Sequence, residues 1–262
     1  MDADLVEKAA AALLGAYASR TPLPPLTDSH PDLSVGDAYA IQAAQVAAWT
    51  AMGAVVKGHK VGLTSAAMQR QLGVDQPDFG VLLDSMFLAE GATAEFGRFL
   101  QPKAEPEIAF VLGRPLRGPG VTVAEALAAV DFVLPALEII DSRIADWKIT
   151  LADTVADNGS SGAVVLSSRP VRADSLDLSL AGCLLHRNGR VEGTGAGGAV
   201  LGSPVNALVW LANTLGARGV GLEAGHVILP GSVCAAIPFG PGDTVSATFD
   251  RIGSVSITFS EK

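Results

Sequence analysis

The sequence predicts an α+β fold: a small helical region at the start of the chain, followed by a larger β-rich body. Three observations carry this expectation. Apolar residues recur at helical spacing over residues 3–19, and an Ala-rich run after Ser34 favours a second helix. Asn188-Gly189 lies between two extended arms in LLHRNGRVEG, which is the strongest short hairpin signal. Residues 226–259 alternate apolar and polar positions between Gly/Pro turns, the pattern of several antiparallel strands. A helical appendage over 1–54 and a β-rich catalytic domain over 55–262 follow from these signals.

The elements read in order as follows. The stretch TPLPPLTDSHPDL, broken by Pro24, Pro25 and Pro31, is expected to be a loop. Ser34 is placed to cap the next helix. VVKGHKVGL reads as a strand, SAAMQRQLG as a short helix, and DQPDFGVLL as a turn entering an extended segment. PEIAFVLG (106–113) is β-like, residues 123–130 are helical, and FVLPALEII (132–140) is a buried extended run around Pro135. DTVADNGSSG concentrates small polar groups, as a loop would. PVNALVWLANTLGARG is an amphipathic helix ending at Gly219.

Composition removes several function classes. The chain of 262 residues suits one large domain, or a main domain with an appendage. Alanine and glycine supply much of its hydrophobic excess, and no apolar run approaches the ~20 residues of a membrane span. The opening MDADLVEKAAAALLGAYASR lacks the basic and continuously apolar regions of a signal peptide, so a cytoplasmic setting is expected. A net charge of −9 argues against a nucleic-acid surface. Cys183 and Cys234 have no metal or redox spacing and read as free thiols. The high apolar content leaves room for surface buried in a homo-oligomer.

The chemistry gathers around acidic residues in apolar surroundings. Glu105 and Glu107 flank Pro106, and in an extended segment residues two apart point to one face. Two converging carboxylates repel, and a divalent cation relieves that repulsion; a solvated strand edge would show the same pair. Glu138 interrupts FVLPALEII, where an ionised side chain needs a partner. Arg143, Lys60 or a metal shared with the glutamate pair could each serve. Three carboxylates form an all-oxygen set suited to hard Mg²⁺ or Mn²⁺. Lys60, among glycines and apolar residues in GHKVGLTS, suits either a pocket lysine or a snorkelling one. Asp78 follows Pro77 as a turn residue commonly does, and His59, His186 and His226 lack metal or triad spacing.

Taken together, KVGLTS, GVDQPDFG, QPKAEPEIAF, LPALEIIDSRIADWKI and DTVADN resemble the 2-keto-4-pentenoate hydratase family of the fumarylacetoacetase superfamily. The resemblance runs on through VLGSPVNALVWLAN and VILPGS and covers nearly the whole chain. It implies a fumarylacetoacetase-like mixed β-roll core with a small N-terminal helical region. It also implies a Mg²⁺ or Mn²⁺ site on Glu105, Glu107 and Glu138, with Lys60 and Asp78 as catalytic residues. Ser160 and Leu82 are expected at the substrate. Gly159 departs from the family, whose members usually carry alanine there.

The implied activity is hydration of a 2-hydroxy-2,4-dienoate to a 4-hydroxy-2-oxo acid, as in meta-cleavage degradation of aromatic compounds. The partner is then a small-molecule dienoate, with association with a pathway aldolase or decarboxylase as a further expectation. A 4-oxalocrotonate-type decarboxylase is the alternative within the superfamily, and a non-catalytic partner subunit the alternative outside catalysis. Asp78 and the IADWKI segment side with the hydratases; retention of all three glutamates and Lys60 sides against a non-catalytic subunit. No arginine is assigned to a distal carboxylate, so an uncharged substrate tail is expected.

Overall fold

The computed structural model describes residues 2–261, the side chains of Met68, Gln71 and Leu72 excepted. The chain opens with helix α1 (Ala3–Ser19), which ends at Arg20 in the left-handed conformation, its amide bonded to the Ala16 carbonyl. A capping box starts α3 (Val35–Ala51): Ser34 Oγ accepts from the Asp37 amide, and the Asp37 carboxylate accepts from the Ser34 amide. Between them, the expected loop contains one helical turn, α2 (Leu26–Ser29). Its polar partner is distant in sequence, because Thr27 donates through its amide and hydroxyl to Asp153.

The remaining elements follow in chain order. They are β1 (Val56–Gly62), α4 (Ala66–Leu72), β2 (Asp78–Leu83), β3 (Phe87–Leu88), β4 (Thr93–Ala94) and β5 (Lys103–Leu112). Then come α5 (Val123–Ala129), β6 (Val130–Ile140), α6 (Leu151–Ala156), β7 (Ser161–Leu166), β8 (Gly182–Arg187) and β9 (Arg190–Ala196). Helix α7 (Pro204–Gly216) precedes β10 (Val227–Leu229), β11 (Ile237–Pro238), β12 (Thr244–Phe249) and β13 (Gly253–Phe259). Among the described residues no helix is long and apolar enough to cross a membrane.

Two sheets result. The larger runs β2-β1-β10-β5-β6-β7-β3, with β11 also paired to β5; the smaller runs β4-β13-β12-β8-β9. The β8–β9 hairpin turns at Asn188-Gly189, both with positive φ, as a two-residue turn of this kind requires. The late segment is antiparallel where β12 meets β13, but β10 runs parallel to β1. Ile108, Phe110, Leu137 and Ile139 of the larger sheet share one core with Val245, Ala247, Val255 and Ile257 of the smaller, closed by Leu208 and Leu211 of α7. A second core joins Leu13 of α1, Ile41 of α3, Val155 of α6 and Ile144 from the segment after β6. Burying each large apolar side chain is worth about 1.5–3 kcal/mol.

The strand that carries two of the glutamates begins earlier than its apolar run suggests. β5 starts at Lys103, so Glu105, Pro106 and Glu107 lie inside it. Pro106 is tolerated because its carbonyl accepts from the Val233 amide, so its peptide edge faces away from β6 and no β5–β6 bond is lost. Along that outer edge β11 pairs residues 103 and 104, and β10 pairs 110 and 111. The gap between them is occupied by the segment around Gly231–Val233, and the site opens there.

Candidate active site

The acidic centre follows from strand register. Glu105 on β5 stands directly opposite Glu138 on β6, and Glu107 lies two residues on, on the same face. Glu107 and Glu138 are 0 % and 1 % exposed. The three carboxylates each offer an oxygen, and these atoms all lie within 4.8 Å of one another. Gly231 donates its amide to Glu107 Oε2 at 2.7 Å, while Glu107 Oε1 and both oxygens of Glu138 have no hydrogen-bond donor. Buried carboxylate oxygens left without donors are costly, and hard divalent cations are what such a donor set accepts. The residues present therefore fit a divalent metal.

Lys60 and Asp78 come to the same place from adjacent strands, Lys60 pairing with Gly80 and Gly62 with Asp78. The Lys60 ammonium lies 3.5 Å from Glu138 Oε1 and donates to the Gly159 carbonyl at 2.7 Å. Lys60 thus points into the site and does not snorkel; it is 4 % exposed. Asp78 is buried against Gly62, where any Cβ would overlap Asp78 Oδ1, so glycine is required for that approach. Arg143, the other candidate partner for Glu138, is engaged elsewhere. It holds Asp157 through its amide and Nε, at 2.9 and 2.6 Å, and lies over the Tyr17 ring.

The electrostatics follow from burial and crowding. Burial, reinforced by the charge on Glu138, pushes Glu105 up to about 7. Burial and then the charges of Glu138 and Glu105 hold Glu107 well above the carboxylate range. Burial also raises Glu138 and Asp78, with the Lys60 charge opposing in both. For Lys60, burial is the largest single influence and would lower it. The combined fields of Glu138, Asp78, Glu105 and Glu107 exceed it, and the ammonium is held above its ordinary value.

A cavity of about 530 Å³ gathers Lys60, Asp78, Glu105 and Ser160 on one side. Ser160 Oγ shares a hydrogen bond of 3.2 Å with Thr154 Oγ1, and both residues line the cavity. Gly159 keeps the turn close, since a Cβ there would stand 3.2 Å from Lys60 Cδ. DTVADNGSSG is therefore only partly a loop, with α6 at its start and β7 beginning at Ser161. Leu82 is buried in a core cluster with Val81, Leu83 and Met86, on the strand that begins with Asp78. An apolar side chain in a fully buried strand packs in the core unless the strand opens beside it.

Sequence reasoning passed over three residues. Lys103 lines the cavity from the face of β5 that bears Glu105, and its ammonium lies 4.1 Å from the centre of the Trp147 ring. The period of two along β5 could have found Lys103. Trp147 reaches the cavity through a turn in which Asp146 and Trp147 both have positive φ, and no local signal announces it. Thr154 is hidden in a segment of short polar residues. Ile140, Trp147, Ile149, Ala235 and Ala236 make the remaining wall mostly apolar.

Comparison with known proteins gives a consistent picture. Residues 47–260 match the fumarylacetoacetate (FAA) hydrolase C-terminal family. The chain is 49 % identical over 253 residues to a 2-keto-4-pentenoate hydratase of Paraburkholderia xenovorans (strain LB400), covering 97 % of this chain and 94 % of that one. It is 45 % identical over 262 residues to a 2-hydroxyhexa-2,4-dienoate hydratase of Comamonas testosteroni, with 99 % of each covered. Its structure resembles 4-oxalocrotonate decarboxylase from Pseudomonas putida G7, complexed with magnesium and adipate. That similarity has a TM-score of 0.96 at 35 % identity, over 99 % of this chain and 98 % of the other.

Proposed function

Because the chain belongs to the fumarylacetoacetate hydrolase family, we propose that it is a metal-dependent hydro-lyase that adds water to a 2-hydroxy-2,4-dienoate, giving a 4-hydroxy-2-oxo acid in meta-cleavage degradation of aromatic compounds. The observation that carries this reading is the convergence of three buried carboxylates, short of hydrogen-bond donors, beside Lys60 and Asp78. Hydratase relatives at 49 % and 45 % identity support the reaction type. The same proposal includes a homo-oligomer and association with a pathway aldolase or decarboxylase.

Glu105, Glu107 and Glu138 would hold the ion, Mg²⁺ or Mn²⁺. When bound, a divalent cation supplies Lewis-acid polarisation of the substrate's 2-oxygen and offsets the charge of its carboxylate. The chain's own side chains do the rest. In balance, a proton leaves the 2-hydroxyl and one arrives at C5; the hydroxyl of water then bonds to C4 and a proton arrives at C3. Lys60 and Asp78 carry these transfers, Lys60 from an ammonium fixed by Gly159 and Asp78 from a buried carboxyl that takes up protons readily. Ser160 and Thr154 offer hydroxyls to substrate oxygens. The wall of Ile140, Trp147 and Ile149 is apolar and suits an uncharged tail.

The test uses purified protein with Mg²⁺ and 2-hydroxypenta-2,4-dienoate in ¹⁸O-labelled water. Fresh label at C4 of the product is expected, with no CO₂ released. Efficient CO₂ release from 4-oxalocrotonate with no C4 hydration of the dienoate would overturn the hydratase reading.

Two observations favour a second reading, 2-oxo acid decarboxylation. The structural likeness to the decarboxylase is close, and Lys103 supplies a cation in the cavity that a second substrate carboxylate could meet. Trp147 covers that ammonium, which weighs toward the uncharged tail and the first reading.

A further inference from the structure

We infer that Asn158 is a positioning residue for Lys60, acting through the carbonyl of Gly159. Asn158, Gly159 and Ser160 have φ of 53°, 61° and 54°, three successive left-handed residues. That conformation is unfavourable for a residue with a Cβ. Two buried examples in one turn persist only where the surroundings over-determine them.

The Asn158 carboxamide does this. Its Oδ1 accepts from the Val81 amide at 2.8 Å, and its Nδ2 donates to the Val81 carbonyl at 2.9 Å. The side chain thus pairs with β2 as a residue of a neighbouring strand would. Ser161 Oγ donates to the Asn158 carbonyl at 2.8 Å, and Arg143 Nη1 donates to the Ser161 carbonyl at 3.0 Å. The turn is therefore anchored on both sides, and what it delivers is the Gly159 carbonyl, 2.7 Å from Lys60 Nζ.

That bond decides where the ammonium sits. Lys60 is drawn by four carboxylates, with Glu138 at 3.5 Å. A flexible four-carbon stem would let it settle on them. The neutral carbonyl holds it back from them. Asn158 itself does not line the cavity, so its effect on the substrate passes through Lys60.

The inference rests on Lys60 as a proton-transfer residue, and a double-mutant cycle on the metal-loaded enzyme separates the two claims. Asn158→Ala is expected to lower kcat on the order of 10²-fold with little change in KM or in Mn²⁺ affinity measured by calorimetry. The same substitution in a Lys60→Ala background is expected to lower the residual turnover no further. Equal losses in both backgrounds mark a merely structural asparagine and overturn the inference. Wild-type turnover in Lys60→Ala alone defeats instead the reading of Lys60. If Asn158→Ala does not fold, Asn158→Asp keeps the acceptor for Val81, loses the donor, and takes its place in the cycle. In ¹⁵N-lysine NMR the Lys60 ammonium signal, protected from solvent exchange by the Gly159 bond in the wild type, should shift or vanish in either variant; an unchanged signal also overturns the inference.

Discussion

Glu105 and Glu138 are direct register partners across the β5–β6 ladder, the position at which like charges on a sheet destabilise each other most. Glu107 adds a third carboxylate on the same face, and Lys60 meets Glu138 alone at ion-pair distance. This arrangement leaves Glu107 Oε1 and both Glu138 oxygens buried without hydrogen-bond donors.

The first prediction concerns metal and pH. Without metal these glutamates hold protons at a pH where the unfolded chain, at about 4.5, has released them; Glu105 sits at about 7. Raised folded values mean that their contribution to metal-free stability is complete below about 4.5 and is lost as pH rises through the folded values, which for Glu105 is about 7. Metal binding displaces those protons. The rise in thermal midpoint on adding Mg²⁺ or Mn²⁺ to chelator-treated protein should therefore be larger above pH 7 than at pH 5. Scanning fluorimetry across that range checks it, and a metal effect independent of pH would contradict it. Ca²⁺ should restore activity less well than Mg²⁺.

Lys60→Ala and Asp78→Asn should each reduce turnover by ~10²–10⁴, the usual scale for a general acid or base. Both proteins should keep their fold and bind Mn²⁺ by calorimetry. Full activity in Asp78→Asn would return that residue to closing a turn.

Lys103 discriminates between substrate tails. Lys103→Met removes a cation stacked on Trp147 but no carboxylate ligand. Turnover of 2-hydroxypenta-2,4-dienoate should change little, and 4-oxalocrotonate should be a poor substrate before and after the change. A selective collapse of dicarboxylate turnover in Lys103→Met would assign Lys103 to a second substrate carboxylate.

Arg143→Met should destabilise the protein by about 3–5 kcal/mol, the cost of leaving a buried ionic partner alone. Asp157 is that partner, and the Asp157 and Ser161 carbonyls lose donors as well. Urea denaturation measures it; a loss below about 1 kcal/mol, the scale of an exposed ion pair, would mean that water replaces the guanidinium.

The legible parts of the site were those written in short-range periodicity or in a charge out of place. Glu105 and Glu107 were readable because a strand repeats every two residues, and Glu138 because an ionised group does not sit alone in an apolar run. Asp78 was readable only through the family resemblance, since a residue after proline in a turn looks the same whether or not a lysine from the next strand lies near. The parallel pairing of β1 with β10 joins segments far apart in sequence and leaves no local trace. Trp147 depends on a left-handed turn at Asp146 that its residue types do not require. Leu82, expected at the substrate through the family resemblance alone, is buried among Val81, Leu83 and Met86.

Tyr17 forms the floor beneath the Arg143 guanidinium, 4.2 Å from its ring centre, and Tyr17 belongs to the first helix of the chain. Arg143 in turn grips Asp157 and Ser161, at the two ends of the turn that touches Lys60. Shortening the protein by that helix would therefore be no peripheral edit. Water would reach a guanidinium now wholly sealed, the hinge of the polar turn would slacken, and the damage would surface as lost turnover even where the β-rich body still melted cooperatively. The opening helix is remote from the chemistry by sequence and adjacent to it by mechanical linkage.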